Sequence, residues 1–443
     1  MPPLVRLLFV PLFFWLGAPL PVSAETIALR HVRIFDSGAG DLEDATLLIE
    51  VGKIAAVGPT ASTPIPDTAK VLDLAGRTVV PGLISDHSHV GWTDGVTGGR
   101  KNFTRENVAR QLEQYQRFGV TTVMSLGMNA PLAEQLAEES LTGKLPGAQL
   151  LSADRGLGMP GGVPQIDLGS DQIERPATAE EARAAVRGIA GRHARLVKIW
   201  VDDNRRTAPG KMPPEVYRAI AEEAHQHGLR VAAHVYYLED AKALVAAGID
   251  ILAHGIRDQP VDDELIAAMK EKKTWYVATL GLNESFFVYA ERPKWMATEF
   301  FRSALEPSLA AQFDDAAWRS KTLADGRKVE LERDAVRINQ RNLKRLHESG
   351  VRIGFGTDSG ATPLRIPGFA EHRELELMVE AGLTPREAIT IATHSAAELL
   401  ELADRGRIAK GLRADFVVVK GDPSRDLSAL REIESVWCRG RSQ

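Results

Sequence analysis

A single cysteine, Cys438, occurs among the 443 residues. No intrachain disulfide can form, and thiol chemistry is set aside because Cys438 lies at the far C-terminal end of the chain. An excess of one charge is also missing: 54 Lys and Arg stand against 59 Asp and Glu, a formal net charge of −5. That balance offers no field to draw nucleic acid or an anionic membrane, so the expected partner is a small molecule, with self-association left open. After residue 24 no apolar run is long enough to cross a bilayer. With 44% hydrophobic and 26% charged residues, a disordered or fibrous chain is excluded. One large domain with a smaller companion is expected.

Residues 1–24 read as an export signal. Arg6 precedes the apolar run Leu7–Leu16, and Val22-Ser23-Ala24 supplies the small residues at a cleavage point expected after Ala24. The run is too short for a stable membrane anchor, and Pro11, Pro19 and Pro21 interrupt it. No cysteine follows the cleavage point to carry a lipid. The expectation is a periplasmic or secreted protein.

From about Thr26 to Val80, short β-rich runs alternate with Gly and Pro, as in a small antiparallel sheet. From Pro81 onward, β-branched runs alternate with helical stretches such as Glu180–His193 and Glu215–His227. The runs Leu83–Val90, Thr121–Leu126, Gln149–Ser152, Leu196–Val201, Arg230–Tyr236, Ile251–Ile256, Thr274–Leu280 and Arg352–Thr357 predict eight strands. Eight such units make a (β/α)8 TIM barrel over residues 81–404. The strand habit returns at Asp415–Val419 and Ile433–Trp437, so residues 25–80 and 405–443 are expected to join in a small β-sandwich. Two connections are long. Asp154–Thr178, rich in Gly and Pro, reads as an active-site loop, and Gly281–Ser349 reads equally as a helical pair packed on itself or as an apolar wall for substrate.

The chemistry-bearing residues fall at strand ends. His87 and His89 are two apart on a strand, so both imidazoles project from one face and can reach one ion. Spacing alone proves little, since 11 histidines in 443 residues give roughly 0.3 such pairs by chance. His225 and His227 form a second pair, but they end a helix, where their side chains diverge. Lys198 sits inside the apolar run Leu196–Trp200, His234 and His254 end the next two strands, and Asp358 ends the eighth. Each alone has an ordinary structural explanation. Together they meet on one face of a barrel, which points to a metal centre. His372 and His394 are read as local, the latter as a capping residue.

The run Pro81-Gly82-Leu83-Ile84-Ser85-Asp86-His87-Ser88-His89, with Lys198, His234, His254 and Gly356-Thr357-Asp358-Ser359-Gly360, resembles the amidohydrolase superfamily. Leu375–Thr393 and Gly411–Val419 agree with it. The likeness is greatest to the prolidase-like and imidazolonepropionase-related branch. It implies that His87, His89 and Asp358 bind one divalent ion, that His234 and His254 bind a second, and that Lys198 bridges them as a carboxylated lysine. Zinc suits such a ligand set. A hydroxide held between the ions would then attack an amide or peptide-like C–N bond, with Asp358 carrying the proton to the leaving amine. Tyr236 matches the substrate-contacting tyrosine of the branch, while Tyr237 replaces its glycine, and the loop at Met159–Pro164 lacks the histidine relatives often carry there. A dipeptidase or N-acyl amino acid hydrolase is the leading expectation. The alternatives are a deaminase, for which position 237 would be Glu, a cyclic amide or lactone hydrolase, and a catalytically inactive binding barrel.

Overall fold

The computed structural model describes residues 25–38, 40–165, 171–203 and 205–442. The expected export signal lies outside them. All eight expected strands are present and parallel, in chain order: Leu83–Ser88, Val120–Ser125, Gln149–Ser152, Leu196–Trp200, Arg230–His234, Ile251–Leu252, Trp275–Val277 and Arg352–Gly354. Hydrogen bonding groups them as three and then five neighbours. Two seams complete the ring. Between the third and fourth strands, Leu157 donates its N–H to Lys198 at 2.8 Å and accepts from Trp200 at 3.0 Å. Between the eighth and first, Asp86 donates to the Phe355 carbonyl, Thr357 to the His87 carbonyl at 3.1 Å, and His89 to the Ser359 carbonyl at 2.7 Å.

Barrel strands are covered on both faces, which is why they read as near-continuous apolar runs; the strand Leu196–Trp200 is buried throughout. Helices cover them outside. The helix Ala179–Gly191 starts at Thr178, whose hydroxyl and the Glu181 carboxylate form a reciprocal cap, and it buries Ala182, Ala185, Val186 and Ile189 at helical spacing.

The two flanks combine as expected, but the expected sandwich is, in its hydrogen bonding, one continuous eight-stranded sheet. Its centre is the pairing of Phe416–Lys420 with Arg77–Pro81, with Val80 opposite Val417. Because Arg77–Pro81 runs directly into the first barrel strand, the sheet grows from the barrel's edge and keeps its own core of Leu29, Leu47, Phe416 and Trp437. In the stretch 281–349, Phe287, Tyr289, Phe301 and Phe313 pack with Phe118 and Phe369 in a separate cluster, so most of this insertion packs on itself. No helix of the described residues is long and apolar enough to cross a membrane.

Candidate metal centre

The strand ends bring the six expected side chains together. His87 Nε2 and His89 Nε2 lie 3.2 and 3.0 Å from Asp358 Oδ1. The three residues are buried, and each offers one ligand atom within 4.8 Å of the others. The His87 ring stands 4.5 Å from that of His254, which stands 4.4 Å from that of His234. Lys198 is fully buried, close enough for its charge to act on His87 and His254 and to feel Asp358.

Polar contacts fix which nitrogen three of the four rings turn inward. His89 donates from Nδ1 to the Gly127 carbonyl at 3.1 Å, and His254 Nδ1 bonds Thr279 at 2.9 Å, leaving Nε2 to the site in both. His234 Nε2 lies 3.0 Å from Asp202, leaving Nδ1. This pattern, a ring held from behind by a fixed acceptor, orients a metal ligand. The polar atoms left over fit an ion. Both nitrogens of His87 and the Nζ of Lys198 are buried with no hydrogen-bond partner. Orphaned buried donors and lone pairs are costly unless something occupies the space between them.

The charges agree. Burial, helped by the Lys198 charge, lowers His87 to a pKa of about 3, and burial with the charge of His234 lowers His254 well below the usual range, so both rings are neutral lone-pair donors. Burial lowers Lys198 to about 7, which makes a neutral amine accessible near neutral pH. Burial pushes the Asp358 carboxyl up, but the Arg365 guanidinium and the two imidazoles override it and hold the group ionised.

The amidohydrolase family profile matches residues 78–442. The chain belongs to the amidohydrolase family. It falls in the branch related to prolidases and imidazolonepropionase, among hydrolases of carbon–nitrogen bonds. It is 28% identical to an imidazolonepropionase of Deinococcus radiodurans, over 93% of each chain. It is 27% identical to an ochratoxinase of Aspergillus niger, over 94% of this chain and 86% of that one. A solved Xaa-Pro dipeptidase superposes with a TM-score of 0.74 over 95% of this chain and 100% of its own, at 23% identity, and shares the barrel fold.

This amidohydrolase holds its centre with residues that sequence patterning did not single out. Asp202, 2% exposed, stands behind His234. Arg365 pairs with Asp358 Oδ2 and lies over the Phe286 ring at 5.5 Å. Glu371, fully buried, accepts from Thr357 and Ser359 at 2.7 and 2.8 Å and so fixes the residues on either side of Asp358. Glycine makes room: a Cβ on Gly356 would lie 2.6 Å from the His87 Cβ, and one on Gly360 would lie 2.0 Å from the His89 carbonyl oxygen. The Tyr236 ring lies 5.0 Å from the Arg257 guanidinium and 5.7 Å from that of Arg205. The loop after the third strand brings Val163 and Ile173 against Trp92, Met128 and Trp200, an apolar wall whose Trp200 ring is 5.3 Å from Lys198 Nζ. The insertion contributes Asn283 and Glu332, with Glu332 bonded to Arg205 at 2.7 Å and to Asn283 at 2.6 Å.

The other histidines stay local. His225 bonds Asp250 at 2.9 Å and His227 bonds Glu223 at 3.3 Å, so that pair shares no centre. His372 donates to the Phe118 carbonyl at 2.7 Å. His394 lies inside a π-helical turn, 3.7 Å from Glu398, and caps nothing.

Proposed function

We propose that this amidohydrolase is an exported, binuclear metal-dependent hydrolase that cleaves an amide or peptide-like C–N bond. The observation that carries the reading is the convergence of six side chains on one end of the barrel, where such folds place their active sites, with the nitrogens of His87 and Lys198 buried and unpartnered among them. His87, His89 and Asp358 would hold one divalent ion, His234 and His254 the second. Lys198 would join the two sites as a carbamate, formed when its neutral amine adds to carbon dioxide and loses a proton. Zinc suits these nitrogen and oxygen donors. When bound, the ions acidify water and polarise the scissile carbonyl.

The chain's own groups do the rest. Asp358 is ionised and would take a proton from water and return it to the leaving amine nitrogen, while Arg365, paired with its second oxygen, holds the carboxylate in place. Trp92, Met128 and Trp200 keep one side of the centre dry. Tyr236 offers a phenol able to hydrogen-bond a substrate carbonyl or carboxylate. Export rests on the leader-like residues 1–24.

Metal analysis of the purified protein tests the reading: about two ions per chain are expected for the hydrolase, one for a deaminase and none for an inactive binding barrel. Reconstitution of activity by metal should need bicarbonate, and a bicarbonate-independent enzyme would remove the carbamate. Dipeptides, N-acyl amino acids, cyclic amides and lactones are the substrates to screen.

A further inference from the structure

Three arginines of the described residues are less than a tenth exposed: Arg257 at 3%, Arg405 at 6% and Arg365 at 8%. Arg365 is paired with Asp358 and Arg405 with Asp404. Arg257 has no carboxylate within ion-pair distance among the described residues. Its hydrogen-bond partners are neutral: the Val235 carbonyl at 2.9 Å and Asn283 Oδ1 at 3.3 Å, while its Nε–H has none.

The acids around it are already engaged. Asp202 lies against His234, Glu332 accepts from Arg205 and Asn283, and Asp258 accepts from the Leu238 N–H at 2.9 Å. A buried guanidinium that stays charged needs an anion close by, and this one has unused donors. The strand end that carries the candidate ligand His254 also carries this arginine. It follows His254 by three residues, its backbone N–H donates to the Tyr236 carbonyl at 3.0 Å, and its side chain backs the Tyr236 ring.

We propose that Arg257 is the receptor for a substrate carboxylate, and that the substrates are amides carrying a free carboxylate beside the scissile bond, as dipeptides and N-acyl amino acids do, rather than neutral cyclic amides or lactones. The planar fork of the guanidinium matches a carboxylate in two parallel hydrogen bonds. Arg205, on the same Tyr236 ring, adds positive potential but is partly neutralised by Glu332. The apolar wall at Trp92, Met128 and Trp200 suits the uncharged part of such a molecule. This assignment rests on the amide-hydrolase reading and extends it to the recognition group.

The experiment compares N-acyl amino acids with the same compounds capped as carboxamides, on the metal-loaded protein. The wild type should favour the free acid in kcat/KM by about 10- to 100-fold, the value of a charge-assisted hydrogen bond pair. Arg257→Met should shrink that ratio to within about threefold, chiefly through KM, and Arg257→Lys should restore part of it. A purely structural role would slow both substrates together and leave the ratio unchanged; that result, or a wild type indifferent to the cap, overturns the proposal. If no amide is hydrolysed, the amide reading fails by itself, and calorimetric binding of an N-acyl amino acid to the metal-loaded protein decides on Arg257. Binding that Arg257→Met abolishes supports the receptor. Binding that the variant retains, or that the wild type lacks, overturns it.

Discussion

Replacing Gly360 by alanine probes how tightly the eighth strand must approach the first. Gly360 has φ +79°, and the added Cβ would sit 2.0 Å from the His89 carbonyl oxygen, a backbone atom that cannot swing aside. Gly76 supplies the control: its φ is +77°, and nothing lies within 4 Å of a Cβ built there. An L-residue in the left-handed region costs about 1–2 kcal/mol, so Gly76→Ala should lose about that much. Gly360→Ala suffers the same strain plus an overpacking cost of about 1–3 kcal/mol, for a total of about 2–5 kcal/mol. The difference between the variants isolates the contact with His89. Urea unfolding read by circular dichroism measures it, and chelator competition on the folded variants should show weaker metal binding for Gly360→Ala alone, because relieving the clash displaces His89. Equal destabilisation of the two variants, with unchanged metal affinity, would refute the argument that this glycine is required by the closeness of the two strands.

Asp202→Ala leaves His234 without its acceptor and should weaken metal binding about 10- to 100-fold, with Asp202→Asn closer to wild type; an unchanged chelator titration would remove Asp202 from the orientation of His234. Asp358→Asn should retain most of the metal while losing nearly all turnover, and normal activity would end its role as proton carrier. Glu374 is buried, accepts from the Leu280 and Gly281 N–H groups at 2.7 and 2.8 Å, and is raised by burial from 4.5 to about 8. The folded state therefore holds this proton where the unfolded chain has lost it. The stability it contributes is full below about 4.5 and is lost as pH rises through about 8. Glu374→Gln should flatten that decline in unfolding midpoints between pH 5 and 9, and an identical slope would contradict it.

Eight barrel strands were legible because strands buried on both faces must be apolar and β-branched throughout. Their ends were not, because tertiary partners decide where a strand leaves the ladder. The run expected to continue to Ile256 stops pairing at Leu252, and His254 then turns its Nδ1 to Thr279. His87, His89, Lys198, His234, His254 and Asp358 stood out because each interrupts or ends an apolar run. Arg257, Asp202 and Arg365 carry no such contrast: a single charged residue in a connection looks solvated until the fold shows it buried. The partnership of Glu332 with Arg205 spans 127 residues and leaves no local trace. The sandwich expected from the flanks became one sheet because both Lys70–Asp73 and Arg77–Pro81 pair along the same strand, Ile27–Ile34.

The ring of strands is fastened in two places where its end returns to its beginning. One fastening is the flank sheet, where Val417 from the tail of the chain lies opposite Val80 just ahead of the first barrel strand. The other is the seam that carries His87, His89 and Asp358, so there the cation site and the barrel's closure share the same backbone. Both fastenings are made by backbone hydrogen bonds, which need no cation to close them. The barrel's own closure therefore sets His87, His89 and Asp358 side by side, so the spacing of the cation site is inherited from the ring of strands.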